Sequence, residues 1–240
     1  MVRAVLRALL NALILPLWTA LSVTAGLTAA VLTNDKNLFY RWQRGWARGL
    51  LKLCGIELQV EGQEHMKPDG AYVIVANHAS YMDIPALFAS LPKLPQFMAK
   101  QELSRIPFLG AALRAGRHIL ISRGSRSNAL NALETAADHL KAGAAILVFP
   151  EGTRSTDDAI GRFKTGAFRL AKMGEVEILP VGIHGTRQIL PKHGRLIRPS
   201  RVSVRIGPPF TIAQVRDTPL TELSEQGRAL LAQLSGLPLA

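Results

Sequence analysis

The sequence predicts an α/β fold, in which a layered domain with a largely parallel, mixed central sheet is flanked by helices and preceded by an N-terminal helix pair. First, 240 residues with 48% hydrophobic and 19% charged residues can bury one sizeable core, which excludes a disordered chain. Second, short apolar runs alternate with helical patterns after Gly55, as in parallel sheets. Third, the chain before Gly55 carries a long apolar run and an amphipathic pattern. We therefore divide the chain into an N-terminal membrane-associated segment, 1–55, and a domain, 56–240.

The apolar run extends from Ala8 to Thr33 without a charged residue. It exceeds the roughly 20 residues that a membrane-spanning helix needs. Three interpretations remain open: a cleaved signal peptide, a spanning helix, and a hairpin that enters one leaflet and returns. The apolar region of a signal peptide usually has only about 7–15 residues. Basic residues flank both ends of the run, which the positive-inside rule does not favour for a simple span. We therefore expect a membrane-dipping helix pair with both ends in the cytoplasm.

The following segment, Asn37 to Gly55, has the pattern of an amphipathic helix. Its basic residues recur at spacings of three and four and form one stripe: Arg41, Arg44, Arg48 and Lys52. Large apolar residues occupy the opposite side: Trp42, Trp46, Leu50 and Leu53. We favour a helix that lies among lipid headgroups, with an ordinary helix packed on the domain as the alternative. The single cysteine, Cys54, has apolar neighbours and is expected to be buried and inert.

The domain is predicted to contain seven strands and at least two helices. The strand candidates are Ile56–Val60, Ala71–Val75, Gln96–Ala99, His118–Ser122, Ala144–Phe149, Glu177–Ile183 and Val202–Ile206. The clearest helices are Ser127–Lys141, ended by Gly143, and Phe163–Met173, ended by Gly174. Domains of this kind place their chemistry at the carboxyl ends of the strands and in the loops that follow.

Two polar strings come directly after predicted strands. "ANHASYMD" follows the second strand and brings His78 and Asp83, whose spacing alone is weak evidence, because a histidine at a strand end is more often structural. "FPEGTRS" follows the fifth strand and brings a carboxylate, a glycine, a hydroxyl and an arginine, the residue best suited to hold a phosphate. A plain turn closed by an Arg–Glu pair is the alternative for this string. The other histidines show no metal-ligand spacing, so we expect no metal site.

Four motifs in order resemble the 1-acylglycerol-3-phosphate acyltransferase family, as a bacterial member, over about Ile56 to Thr186. The first is N-H-x-x-x-x-D at Asn77–Asp83, and the second is "AKQELSRIPFLG" with the "ISR" that ends at Arg123. The third is "FPEGTRS" with the trailing "RFKTGAF", and the fourth is the apolar "ILPVGIHGT". The resemblance implies a glycerolipid acyltransferase-like fold. It also implies transfer of a fatty acyl group from acyl-CoA or acyl carrier protein to the sn-2 hydroxyl of lysophosphatidic acid. The product would be phosphatidic acid, in phospholipid biosynthesis.

The residue types fit this chemistry. Neutral His78 would be the general base and Asp83 would orient it, so that the substrate's own hydroxyl attacks and no acyl-enzyme forms. Ser80, two residues from the histidine, is the alternative nucleophile. The resemblance implies that Arg154, with the loop residues Glu151, Gly152 and Thr153, holds the acceptor's phosphate. Lys100 and Arg123 are further candidates for substrate contact, or else solvated surface cations.

Two other functions remain open. The same chemistry would serve another lysolipid, such as a lyso-ornithine lipid or lysophosphatidylglycerol. A basic membrane- or nucleic-acid-binding protein without catalysis would use the net charge of +12. Because the basic residues are spread along the chain and form no recognition motif, we expect no nucleic acid partner. The expected partners are a lysophospholipid, an acyl thioester and the anionic inner leaflet at the cytoplasmic face of the inner membrane, with no cofactor.

Overall fold

The computed structural model describes residues 2–121, 126–194 and 196–240, and the side chains of these ranges except those of residues 2–12, 36 and 126–129. The α-helices are α1 (Val2–Leu32), α2 (Lys36–Leu53), α3 (Asp83–Ser90), α4 (Leu109–Ala115), α5 (Arg126–Lys141), α6 (Gly166–Gly174), α7 (Thr186–Ile189), α8 (Ile212–Asp217) and α9 (Leu220–Ser235). The strands are β1 (Glu57–Glu61), β2 (Tyr72–Ala76), β3 (Gln96–Lys100), β4 (Ile119–Ile121), β5 (Ala145–Val148), β6 (Glu177–His184) and β7 (Arg201–Ile206). Short 3-10 turns lie at Gln63–His65 and Gln101–Arg105.

The strands form one sheet in the order β1-β7-β6-β2-β5-β3-β4. Every neighbouring pair is parallel except β6 and β7, which are antiparallel. This arrangement confirms the predicted fold class, and each predicted strand overlaps an observed one. β2 is buried at all five positions and lies between β5 and β6, so the loop after β2 leaves the middle of the sheet.

Helices cover both faces of the sheet. Side chains alternate along β2, so that Ile74 belongs to the core beneath α2 and α3, whereas Val73 and Val75 belong to the core beneath α5, α6 and α9. Both cores are apolar, and burial of their side chains supplies the main stabilisation of the sheet. α5 has the predicted extent. α6 begins at Gly166, three residues later than predicted, because the preceding segment follows the loop after β5, where the Lys164 amide donates to the Pro150 carbonyl at 2.9 Å.

The N-terminal helices form an antiparallel hairpin. Trp18 Nε1 donates to the Trp46 carbonyl at 3.1 Å, and Trp46 Nε1 donates to Thr19 Oγ1 at 3.2 Å. The helices approach closely at Gly26, which faces the Trp42 ring, and at Gly49, which faces the Trp18 ring. The other side of α1 stays exposed and apolar, and its 20-residue stretch Leu13–Leu32 is long and apolar enough to cross a membrane. Whether this hairpin enters a bilayer stays a prediction.

α2 packs on the domain, which is the alternative of the two interpretations of its sequence. Leu50, Leu51 and Cys54 are buried in the core shared with α3 and the sheet. Arg44, from the predicted basic stripe, donates to the carbonyls of Leu91 and Pro92 at 2.5 and 2.8 Å. The expectation of a helix that lies among lipid headgroups is therefore wrong for the side of α2 that carries Leu50, Leu51 and Cys54. Burial raises the pKa of Cys54 to about 11, in keeping with an inert thiol.

Candidate active site

Asn77 joins the loop after β2 to the neighbouring strand β6. Its side-chain amide donates to the Ile183 carbonyl and its side-chain oxygen accepts from the Ile183 amide, both at 2.8 Å. The buried side chain thus imitates a backbone peptide and continues the pairing of β2 with β6 beyond the end of β2. The next residue, His78, therefore begins from a fixed point at the carboxyl edge of the sheet.

His78 and Asp83 form a hydrogen-bonded pair. Asp83 Oδ2 lies 2.7 Å from His78 Nδ1 and also accepts from the amides of Ala79 and Ser80, at 2.8 and 2.9 Å. Asp83 is fully buried in the first turn of α3, where the helix dipole favours a negative charge. Because the carboxylate can only accept, Nδ1 carries the proton and Nε2 keeps its lone pair.

A second contact holds one face of the His78 imidazole ring. The Phe149 ring stacks on it, with centroids 4.0 Å apart and planes 13° apart. The His78 side chain remains 19% exposed. An imidazole held in this way has the chemistry that a general base requires.

The Ser80 hydroxyl has a structural role. Its Oγ donates to the Leu190 carbonyl at 2.7 Å and accepts from the Met82 amide at 3.1 Å. Ser80 is fully buried. These contacts do not support Ser80 as the nucleophile.

Glu151 connects the two motif loops. Its Oε1 accepts from the His78 amide at 2.8 Å, and its Oε2 accepts from the Gly161 amide at 3.3 Å. The loops also meet where the Ser155 amide donates to the His78 carbonyl at 2.7 Å. Burial raises the pKa of Glu151, and the two amide contacts partly offset this by lowering it. Glu151 was expected to hold substrate, but one of its oxygens accepts from the backbone of His78 and the other from the backbone of Gly161.

Arg154 is in a position to bind an anion. Its guanidinium carbon lies 3.7 Å above the centre of the Tyr81 ring, a cation–π contact between the two motif loops. Its Nη1 is buried and has no hydrogen-bond partner in the part of the chain that the structure describes. A buried guanidinium nitrogen without a partner is costly, and a phosphate oxygen would satisfy it.

Gly152 and Thr153 are the other residues of this loop that were predicted to contact substrate. Gly152 has φ +71°, and a Cβ there would come within 2.9 Å of Lys164 Nζ. Glycine therefore lets Lys164, a second cation, cross the loop. Thr153 is exposed. Sequence reasoning did not assign roles to Lys164, Tyr81 or Phe149, although each lies within or beside a quoted motif.

Lys100 and Arg123 were the other predicted contacts. Lys100 is the exposed last residue of β3, at the same edge as His78. Its strand lies two positions from β2, which is roughly 10 Å at the usual strand spacing. Arg123 lies outside the described residues. Both roles stay predictions. Within residues 2–121, 126–194 and 196–240, no three His, Cys, Asp or Glu side chains lie together as a possible metal site.

Comparisons with known proteins agree with this geometry. A family model described as Acyltransferase matches residues 57–184, which include both motif loops. The chain is 34% identical over 197 residues to a 1-acyl-sn-glycerol-3-phosphate acyltransferase of Chlamydomonas reinhardtii, covering 79% of this chain and 57% of that protein. It is 32% identical to the enzyme of the same name from Saccharomyces cerevisiae, covering 73% and 59%. The chain thus spans less than two thirds of the length of these curated relatives.

A solved structure extends the likeness to the whole chain. The crystal structure of the 1-acyl-sn-glycerophosphate acyltransferase PlsC from Thermotoga maritima superposes with a TM-score of 0.87 at 27% identity. The match covers 97% of this chain and 94% of that one, including the N-terminal hairpin. Since the family model covers more than half of the 240 residues, the chain belongs to the Acyltransferase family.

Proposed function

We propose that the protein transfers a fatty acyl group from an acyl thioester to the sn-2 hydroxyl of lysophosphatidic acid and so makes phosphatidic acid for phospholipid biosynthesis. The observation that carries the proposal is the 2.7 Å contact between His78 Nδ1 and Asp83 Oδ2, which leaves Nε2 free to accept a proton. The names of the relatives in Chlamydomonas and Saccharomyces support the choice of acceptor.

The reaction needs one base and no covalent intermediate with the protein. His78 Nε2 removes the proton of the acceptor hydroxyl while that oxygen attacks the thioester carbon. Asp83 stabilises the imidazolium through Nδ1–H. The tetrahedral intermediate then collapses, the carbon–sulfur bond breaks, and the leaving thiolate takes the proton from Nε2. The ester and a free thiol result, and His78 is neutral again.

The phosphate of the acceptor would lie against the loop after β5. Arg154 supplies a guanidinium nitrogen that is buried without a partner, and Lys164 supplies a second cation across Gly152. Lys100 and Arg123, both in the second motif, would complete the contacts to phosphate or to the developing oxyanion, where one fixed donor is worth about 3 kcal/mol. Because the acceptor is a membrane lipid, the exposed apolar side of α1 would hold the enzyme at the bilayer. We place it at the cytoplasmic face, where acyl-CoA or acyl carrier protein is the donor.

The first experiment is a matrix of donors and acceptors. Acyl-CoA and acyl carrier protein thioesters are each offered with lysophosphatidic acid, lysophosphatidylglycerol and a lyso-ornithine lipid, and release of free thiol is measured. We expect release to depend on lysophosphatidic acid. Release that depends on another lysolipid would correct the acceptor, and no acceptor-dependent release would refute the proposal. His78→Ala is expected to abolish release while leaving the fold intact.

The second experiment tests the phosphate site. Arg154→Ala removes a charged hydrogen bond worth about 2 kcal/mol, so the KM for lysophosphatidic acid should rise roughly 30-fold. Arg216→Ala on α8 is the matched control, because it removes an exposed cation far from both motif loops. A lower kcat at unchanged KM in the Arg154 variant would contradict the phosphate role.

A further inference from the structure

The turn between β3 and α4 exposes two large apolar side chains. It consists of Ile106, Pro107 and Phe108, and we call it the 106–108 turn. Ile106 is 47% exposed and Phe108 is 48% exposed. Neither side chain takes part in the pairing of His78 with Asp83 or in the Arg154 site, so their exposure needs a separate explanation.

The turn is firmly built. Phe108 has φ +61°, a strained conformation for a bulky residue that persists only where surrounding contacts enforce it. Those contacts are two backbone hydrogen bonds, from the Gly110 amide to the Ile106 carbonyl at 2.8 Å and from the Ala112 amide to the Phe108 carbonyl at 2.9 Å. Gly110 also packs so closely that a Cβ there would come within 2.0 Å of the Ser104 oxygen. The fold therefore holds both side chains outward.

The surroundings of the turn are cationic. Between residues 100 and 117 there are four basic residues and one acidic residue, Glu102, a net charge of 4 − 1 = +3. Arg105 and Arg114 flank the turn and are exposed, and Arg114 also donates to the Ser104 carbonyl at 3.2 Å. An apolar tip with cations around it matches the transition from acyl chains to anionic headgroups in a bilayer.

The turn leads into α4, which packs on the N-terminal hairpin. α4 contacts α1, whose outer side exposes Leu13, Leu17 and Leu21. The turn is joined by the 3-10 turn Gln101–Arg105 to β3, whose carboxyl end lies at the same edge of the sheet as His78. The turn is thus linked through α4 to α1, and through Gln101–Arg105 to the edge of the sheet that carries His78.

We propose that the 106–108 turn inserts into the acyl-chain layer of a membrane leaflet, with Arg105 and Arg114 among the headgroups, as an attachment point separate from the N-terminal hairpin. The inference rests on the proposed function, because a membrane-borne acceptor requires the sheet edge to face the leaflet. Two attachment points, α1 and the turn, fix the tilt of the domain relative to the membrane, whereas a single attachment point would let the domain rotate about it. An acidic partner such as acyl carrier protein would instead contact Arg105 and Arg114. It would leave the exposed apolar side chains of the turn without an apolar partner.

The first test measures directly how deeply the 106–108 turn lies in the membrane. In the full chain, Phe108→Cys is labelled with an environment-sensitive fluorophore, and Gln226→Cys on α9 is the matched control. The native Cys54 is buried and labels little. The proteins are reconstituted into vesicles of phosphatidylglycerol and phosphatidylethanolamine, with or without bromine on the lipid acyl chains. We expect a blue shift and strong quenching by brominated chains at position 108 and neither at 226. A label at 108 that stays in water would overturn the proposal.

Activity gives a second and independent measurement. The double variant Ile106→Ser and Phe108→Ser should lose turnover several-fold with lysophosphatidic acid in vesicles, but not with a short-chain acceptor dissolved in water. Equal loss with both acceptors would overturn the membrane role. A raised KM for acyl carrier protein, together with an unquenched label, would assign the turn to a protein partner instead. Because quenching does not require turnover, failure of this inference is distinguishable from failure of the proposed reaction.

Discussion

Replacing Asp83 with asparagine should remove a charge without disturbing the loop. Asp83 Oδ2 accepts three hydrogen bonds, whereas Oδ1 is buried without a partner in the described part of the chain. An asparagine can therefore place its oxygen where Oδ2 lies and its amide group where Oδ1 lies. All three contacts are kept, and only the negative charge is lost.

The expected cost in rate follows from the distance. With Nδ1 and Oδ2 2.7 Å apart, the centres of the imidazolium and the carboxylate lie roughly 4 Å apart. At an effective dielectric constant of about 20, their attraction is about 4 kcal/mol. This attraction exists only after His78 has taken the proton, so its loss raises the barrier and not the binding energy. Asp83→Asn should lower kcat roughly 1000-fold and leave KM nearly unchanged.

The assay is acceptor-dependent thiol release at saturating substrates, with thermal unfolding measured on the same samples. The melting temperature should stay close to that of the wild type. Asp83→Ala is the matched comparison, because it leaves the Ala79 and Ser80 amides without an acceptor and should unfold earlier. If Asp83→Asn unfolds normally but keeps kcat within tenfold of the wild type, the carboxylate charge does not support the base, and the reasoning is refuted.

Three further changes test Glu151, Tyr81 and His118. Glu151→Gln can accept only one of the two amide hydrogens from His78 and Gly161, so it should cost about 1–3 kcal/mol of stability and lower kcat; unchanged unfolding would contradict this role. Tyr81→Leu should raise the acceptor KM roughly two- to fivefold through loss of the cation–π contact with Arg154, and Tyr81→Phe should not. Burial lowers the pKa of His118 from 6.5 to about 3, so stability present above pH 6.5 is lost as the pH falls. Between neutral pH and pH 5 the loss should be about 2 kcal/mol by denaturant titration, and His118→Asn should lack it.

The fold and the pairing of His78 with Asp83 could be predicted because each signal is local. The strands are short apolar runs, and the polar strings begin where those runs end, as at His78 after β2. Parallel pairing then brings the loops after β2 and β5 together. Their contacts could not be predicted, because the order of strands in the sheet is set by long-range packing. Glu151 thus resembled a substrate ligand, although its oxygens lie on backbone amides.

The N-terminal helices show a second limit of sequence patterns. The stripe of Arg41 to Lys52 opposite tryptophans is equally compatible with a lipid surface and with a protein surface. The side of α2 that packs on the domain carries Phe39, Gln43 and Ala47, which are buried. Because one of them is polar and one is small, they do not form a recognisable apolar stripe in the sequence. The positive φ of Phe108 was also invisible in the sequence, because a bulky residue in this conformation depends on contacts that form only in the folded chain.

The docking of α2 decides how a water-soluble form of the protein can be made. Cutting the chain after Gly55 would remove Leu50 and Leu51 from beneath α3 and leave the carbonyls of Leu91 and Pro92 without Arg44. Such a shortened protein would expose the apolar side chains of the domain that α2 covers, and it would aggregate. A better variant would keep both helices and change Leu13, Leu17 and Leu21 to polar residues. Its affinity for lipid would fall, while α2 would still cover the apolar core of the domain.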